Sequence, residues 1–319
     1  MVSFRFKGYQ MKFQKIRSIP GLLFSISMLL VVSCSISKLT TRKLTDSLAG
    51  SSGLTFTSDD DPELIADALP FTIKLYESLI EKDSTNAALY LATSKLLCLY
   101  SQYFVAAPLD TICDPVQKKA IGKRAKKLFL RAREYALKSI DIIKPGSKKA
   151  FLTGNIDSTI TTVSQSDTSA LFWTSVAWFG AIGSDKSDMS LAMGIKKPLT
   201  ISRKLITMNP TFYQGMAHEL LGIVSLNIPK SLGGSTDTAA YYFSKAIQLS
   251  DSSRVSAFVL YATLVATKTK NRDLYISLLE KANTISVDSY PQLRLQNSIY
   301  QQKARLLIKN VNEVFPEVE

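Results

Sequence analysis

The segment ALFWTSVAWFGAIG, Ala170 to Gly183, is apolar nearly all round. Wound at 3.6 residues per turn it has no polar side to turn to water, so a helix here must be enclosed on every face. At about 14 residues it is too short for a bilayer, which takes roughly 20. Its cover must come from the rest of the chain. No sustained alternation of apolar and polar residues runs through the sequence, so that cover is helical. The expected fold class is all-α. Two readings of the segment stand: a central core helix, or a helix whose Trp173, Trp178 or Phe179 lines an apolar cavity.

The helical domain opens at SDDDPEL, Ser58 to Leu64. Three adjacent carboxylates raise a metal site, but a calcium loop needs spaced oxygen ligands and a central glycine, and these are absent. Asp61 before Pro62, with Glu63 next, is instead the grammar of a helix start: an N-cap, a proline at the first helical position, an acid in the first turn. Leu64, Ala68, Phe71, Leu75 and Leu79 then recur at helical spacing and predict the buried face, with a kink at Pro70. The same cap returns at Asp114-Pro115. Further helices are expected at about 85–107, 115–143, 168–183, 195–208, 213–227, 236–250, 254–268, 271–285 and 291–313, separated by breakers such as Pro145-Gly146, Asn209-Pro210 and Gly233-Gly234.

Short connections between such helices predict hairpins, and hairpins invite a search for repeats. Leu221-Gly222 followed by Ala239-x3-Phe243-x2-Ala246 follows the tetratricopeptide pattern, with about five extra residues at SLGGSTD. Ala125-x3-Phe129-x2-Ala132 repeats its second half, and Tyr275-x3-Leu279-x2-Ala282 does so more weakly. Small residues let paired helices approach while the Phe fills the space between them. The architecture predicted is an irregular array of antiparallel helix hairpins, tetratricopeptide-repeat-like.

The N-terminus reads as a leader. Arg5, Lys7, Lys12, Lys15 and Arg17 precede the apolar run Gly21 to Val32, which is the size of a signal-peptide core. Met11 is an alternative start. VVSC, Val31 to Cys34, has the form of a lipobox, with Cys34 as the lipidated first mature residue; an uncleaved anchor is the competing reading. The organisation expected is a lipoprotein signal peptide over 1–33, a Ser/Thr/Gly-rich tether over 34–58 with a short helix near Leu39–Leu48, and one helical domain over 59–319.

The chemistry of an enzyme is missing. One histidine, His218, cannot build a zinc site alone, and no nucleophile elbow, phosphate loop or dinucleotide motif accompanies it. His218 is expected as a polar contact between helices. No catalytic residue, cofactor or metal is predicted. Cys98 reads as a buried apolar side chain, and a bridge to Cys113 is left open. The formal net charge is +13. In an exported chain this favours acidic headgroups or an acidic protein over nucleic acid. Lys118, Lys119, Lys123, Arg124, Lys126 and Lys127 gather the charge on one helix, as a solvated face or a docking face.

Taken in order, Ser58–Thr93, RAREYAL, LFWTSVAWFGAIG, AHELLG and Pro291–Phe315 resemble the T component associated with tripartite ATP-independent periplasmic (TRAP) transporters. The likeness covers about Asp59 to Phe315. It implies an all-α, tetratricopeptide-like periplasmic lipoprotein, a homotrimer with a pore in each protomer, a solute-binding P component as partner, and a hydrophobic ligand. Against such a pore, the candidate wall residues are Trp173, Trp178, Phe179, Tyr103, Phe104 and Tyr213. A general helical scaffold for envelope assembly is the alternative. Which membrane holds the anchor is left open.

Overall fold

The computed structural model of the chain describes residues 54–316. The leader, Cys34 and nearly all of the tether lie outside the described residues. Those described form helices and turns with no strand among them. In chain order the helices are α1 (Pro62–Lys82), α2 (Ala87–Tyr100), α3 (Pro115–Ile143), α4 (Ser147–Thr153), α5 (Ile156–Thr159), α6 (Thr168–Ser184), α7 (Met189–Met193), α8 (Lys196–Met208), α9 (Met216–Ser225), α10 (Thr236–Leu249), α11 (Val255–Tyr261), α12 (Arg272–Thr284), α13 (Arg294–Lys309) and α14 (Val311–Val314).

The apolar segment is the centre of the N-terminal half. Eleven of the 17 residues of α6 are buried, so it has no outer face, and it packs on α2, α3 and α8. Its closest partner is α3. A Cβ placed on Gly180 would stand 2.6 Å from the ring of Phe129, and one on Gly122 would stand 2.4 Å from the carbonyl oxygen of Ser184. Residue 122 therefore meets 184 and residue 129 meets 180, so the two helices run antiparallel. Ala125, Ala132, Ala136, Ala177 and Ala181 are fully buried. On the other side of α3, the Ser94 hydroxyl donates to the Ala132 carbonyl at 2.8 Å and fixes α2 antiparallel to it.

A second hairpin repeats this device. Ala239, Phe243 and Ala246 on α10 are wholly buried, and a Cβ on Gly222 of α9 would meet the Phe243 ring at 3.0 Å. Gly215 meets Ala246, which again gives antiparallel helices. In the third motif Tyr275, Leu279 and Ala282 are buried too. The residues singled out by the small-aromatic-small pattern all face helix contacts.

The cap reading of the aspartates is borne out. Asp61 accepts from the backbone N–H groups of Glu63 and Leu64, each at 3.0 Å, and Asp59 accepts from Asp61 at 2.8 Å. Asp114 accepts from Val116 at 3.0 Å. Cys98 is buried and Cys113 exposed, and both are free. Burial raises the pKa of the Cys98 thiol.

Three expectations need correction. The buried face of α1 is Ile65, Leu69, Ile73, Tyr76 and Ile80, whereas Leu64, Phe71 and Leu75 are exposed. Both stripes are apolar at helical spacing. The choice is made by Glu77, which lies beside the inner stripe, pairs with Arg131 and accepts from the Tyr135 hydroxyl at 3.0 Å. The helix continues through Pro70, which stands on its exposed side. Second, helices expected as unbroken over 85–107 and 254–268 end in π-helical turns at Ser101–Val105 and Ala262–Ala266. Third, the short helices α4, α5 and α7 occupy stretches expected as loops.

Gly180→Ala tests the central contact. Alanine gains about 1 kcal/mol over glycine in a helix interior, but overpacking a filled core costs about 1–3 kcal/mol. With Phe129 only 3% exposed, the ring has nowhere to go. A net destabilisation is expected in urea unfolding, and it should shrink in a Phe129→Leu background.

Candidate functional site

The two π turns shape the interior surface. Each adds one residue to a helical turn, and this rotates the following side chains. In the first, the Ala106 N–H bonds the Ser101 carbonyl at 2.8 Å. Tyr103 and Phe104 stand on it. Tyr103 meets Tyr300 of α13 edge-on, with ring centroids 6.3 Å apart, and Phe104 lies 6.4 Å from Tyr100. Burial raises the pKa of the Tyr103 phenol; the Glu219 charge adds to this and the Arg254 charge opposes it. Tyr103 therefore stays a neutral donor at physiological pH.

Those two charges belong to a buried network the sequence reading did not find. Arg254 is 0% exposed. Its Nε donates to Glu219 Oε2 at 3.2 Å and its Nη2 to Gln296 Oε1 at 3.1 Å. The Ser256 hydroxyl donates to Glu219 Oε2 at 2.8 Å and accepts from Gln296 Nε2 at 2.9 Å. Asn297 accepts from the Val255 N–H at 3.1 Å and donates to the Ser253 carbonyl at 2.9 Å. The network joins α9 to α13 through the first turn of α11. Arg254 Nη1 and the Ser253 hydroxyl have no partner among the described residues. The signals available were the adjacent polar pair Gln296-Asn297 beside Leu295 on a helix face that also buries Tyr300 and Ala304, and Glu219 beside the lone histidine.

His218 itself does not make the expected polar contact. It is buried, its ring lies 6.2 Å from that of Tyr242, and its Nδ1 has no partner among the described residues. Burial first, then Lys245, lowers its pKa. The polar link between helices passes one residue on, through Glu219.

A second aromatic group joins two of the candidate wall residues. Trp173 lies 5.2 Å from Phe172 and 6.4 Å from Tyr213, and Phe212 lies 4.3 Å from Tyr213. Tyr213 is 42% exposed and begins three successive left-handed residues: φ is 42° at Tyr213, 54° at Gln214 and 82° at Gly215. A non-glycine residue there costs on the order of 1–3 kcal/mol and persists only where its surroundings hold it. Here the rings of Phe172, Trp173 and Phe212 do so. Trp178 is placed differently. It is 4% exposed beneath the Arg133 guanidinium, 4.7 Å from the ring centroid. Phe179 packs on Leu199, Leu221, Val224 and Ile228. The structure thus gathers Trp173 with Tyr213, places Tyr103 and Phe104 against different clusters, and sends Trp178 and Phe179 elsewhere.

The basic helix also divides. Lys118, Lys119, Lys123 and Lys127 on α3 are exposed, with no ion pair among the described residues. Arg124 donates to the Tyr100 hydroxyl at 3.0 Å and lies over its ring. Lys126 is held by Asp185 at 2.5 Å and Asp188 at 3.2 Å. Its hydrogen bond, then that of the Ser187 hydroxyl, lowers the Asp185 pKa to about 2. Lys126 is thereby a tie between α3 and the turn after α6. Among the described residues no cluster could hold a metal ion, and no helix is long and apolar enough to cross a membrane.

The buried pair should behave as a unit. Arg254→Met alone strands the Glu219 carboxylate in the interior and is expected to cost about 3–5 kcal/mol. Glu219→Leu together with Arg254→Met should cost less than Arg254→Met alone in urea unfolding.

Comparison with known proteins places these features. The family model of the TRAP transporter T-component matches residues 58–315. An uncharacterized protein of Treponema pallidum (strain Nichols) is similar, 24% identical over 266 residues, which is 82% of each chain.

Proposed function

The chain belongs to the TRAP transporter T-component family, and from that premise we propose that it is a periplasmic lipoprotein that holds the solute-binding P component of such a system and passes an apolar ligand along an internal wall. The family is one of envelope-associated transporter accessory components, not of enzymes. The observation that carries the proposal is the extent of the match, which spans the described helical array almost end to end. Under this reading the hairpins form a tetratricopeptide-like array, and three copies assemble as a homotrimer. Tyr103 and Phe104 supply one part of the wall and Trp173 and Tyr213 another, while Trp178 and Phe179 serve the core. Cys34 carries the lipid.

Lys118, Lys119, Lys123 and Lys127 are the proposed docking row, and Arg124 borders it. Lys119, Lys123 and Lys127 fall four apart, on one line of the helix, so an acidic surface can meet all three together. Reversing these charges should slow association with the cognate solute-binding component and weaken its dependence on salt. The fold should be unaffected, because exposed charges contribute little to stability. Surface plasmon resonance with the P component measures both quantities; unchanged association rates would reduce the row to a solvated face. Capture of outer-membrane assembly factors in place of the P component would favour the scaffold reading.

The anchor has its own test. Cys34→Ala should abolish incorporation of a labelled fatty acid into the chain. Equal labelling of both forms would remove Cys34 as the lipidation site.

A further inference from the structure

The outer face of α1 carries three large apolar side chains in water. Leu64 is 56% exposed, Phe71 73% and Leu75 41%. At about 100° per residue, positions 64, 71 and 75 fall within roughly 20° of one line. Ala68 lies in the same stripe, and Lys82 stands at its far end. Asp67 is the nearest acid on the helix, about 60° away. The inner face is already committed to the core through Ile65, Leu69, Ile73, Tyr76 and Ile80, so α1 is apolar on both sides while only one side is covered. We propose that the outer stripe of α1 rests in the interfacial layer of the bilayer to which the chain is anchored. This rests on the lipid anchor at Cys34.

Reach and area support this occupant. The stripe lies on the first long helix after the tether. From Cys34 to Leu54 the chain can span at most about 70 Å, at roughly 3.5 Å per residue. An anchored Cys34 thus lies within one tether length of α1, and contact with the bilayer becomes an intramolecular event. A second protein surface is a poorer fit. Three partly exposed side chains offer on the order of 300 Å², against about 800 Å² per partner in a stable complex. A bilayer sets no such threshold. Leu and Phe on the outer line, with a lysine at its end to meet phosphate, are the residues an in-plane helix uses. The depth of entry is shallow, since the other side of α1 stays packed on the protein.

The test uses the full lipid-anchored chain in phosphatidylcholine vesicles containing phosphatidylglycerol. Phe71→Trp is compared with Tyr241→Trp, at a site 57% exposed on α10. Trp173 and Trp178 are buried, and their signal is subtracted with the unsubstituted chain. Brominated acyl chains should quench the added Phe71→Trp emission about twofold or more, and that emission should be blue-shifted. The Tyr241→Trp emission should stay unquenched. Equal quenching at the two sites, in a chain that floats with the vesicles, overturns the assignment and leaves the anchor standing. A blue shift that depends on protein concentration and ignores bromine overturns it in favour of contact between copies. A chain that does not float overturns the anchor and this assignment together.

Discussion

The fold depends on an aromatic ring laid against a glycine. Phe129 of α3 occupies the space where Gly180 of α6 lacks a side chain, and Phe243 of α10 does the same at Gly222 of α9. A helix as apolar as α6 gains nothing from a particular orientation by hydrophobicity alone, because every face wants cover. Shape decides instead. Gly122, Gly180 and the buried alanines between them admit α3 at one azimuth and at close range. Once α3 is fixed, Ser94 sets α2, Glu77 sets α1, and Lys126 clamps the turn after α6. A well-packed interior resists displacement of any of these surfaces, since methylene-sized changes are felt.

The junction of α9, α11 and α13 is organised by charge instead. Arg254 and Glu219 are removed from water, and the desolvation of such a pair offsets most of its attraction. What remains is direction. Arg254 has a planar fork that reaches Glu219 and Gln296 at once, and Ser256 closes the circuit. The circuit holds the side chains of α9, α11 and α13 in one hydrogen-bonded arrangement. Tyr103 stands within its field, on a helix turn already distorted from α geometry.

How much of this was legible follows from what sets each feature. The caps at Asp61 and Asp114 are local, settled by a residue and its next three neighbours, and they were readable. The contacts of Ala125, Phe129, Ala132, Ala239, Phe243 and Ala246 were readable because volume, small against large, is written in residue type. The inner face of α1 was not. Two apolar stripes share the helical period, and the choice between them rests on Arg131 and Tyr135, more than fifty residues away. The π turns carry no composition signal, since SQYFV and ATLVA serve an α-helix equally well. Arg254 was invisible for a related reason: a lone arginine after a polar turn reads as surface until the carboxylate that covers it is known. Trp173 and Trp178 were separable by their 140° offset, but only their neighbours, Tyr213 for one and Arg133 for the other, say which side faces what.

The basic residues of α3 show how a folded core sorts one charge type by chemistry. Arg124 lies on Tyr100, Arg131 pairs with Glu77, and Arg133 covers Trp178 while reaching Glu134. Every one of these uses the flat, weakly hydrated guanidinium against a ring or a carboxylate, where a lysine would bind less well. Lys126 enters the structure because two aspartates converge on it, a task for a point charge. Lys118, Lys119, Lys123 and Lys127 take part in none of this. An ammonium group left in water adds little to stability, so nothing in the fold requires these four, and Lys118, nearest the helix start, meets the unfavourable end of the dipole. Asp114 caps that end, and no acid follows in the first turn. The helix thus finds a partner for each of its three arginines and leaves Lys118, Lys119, Lys123 and Lys127 to water.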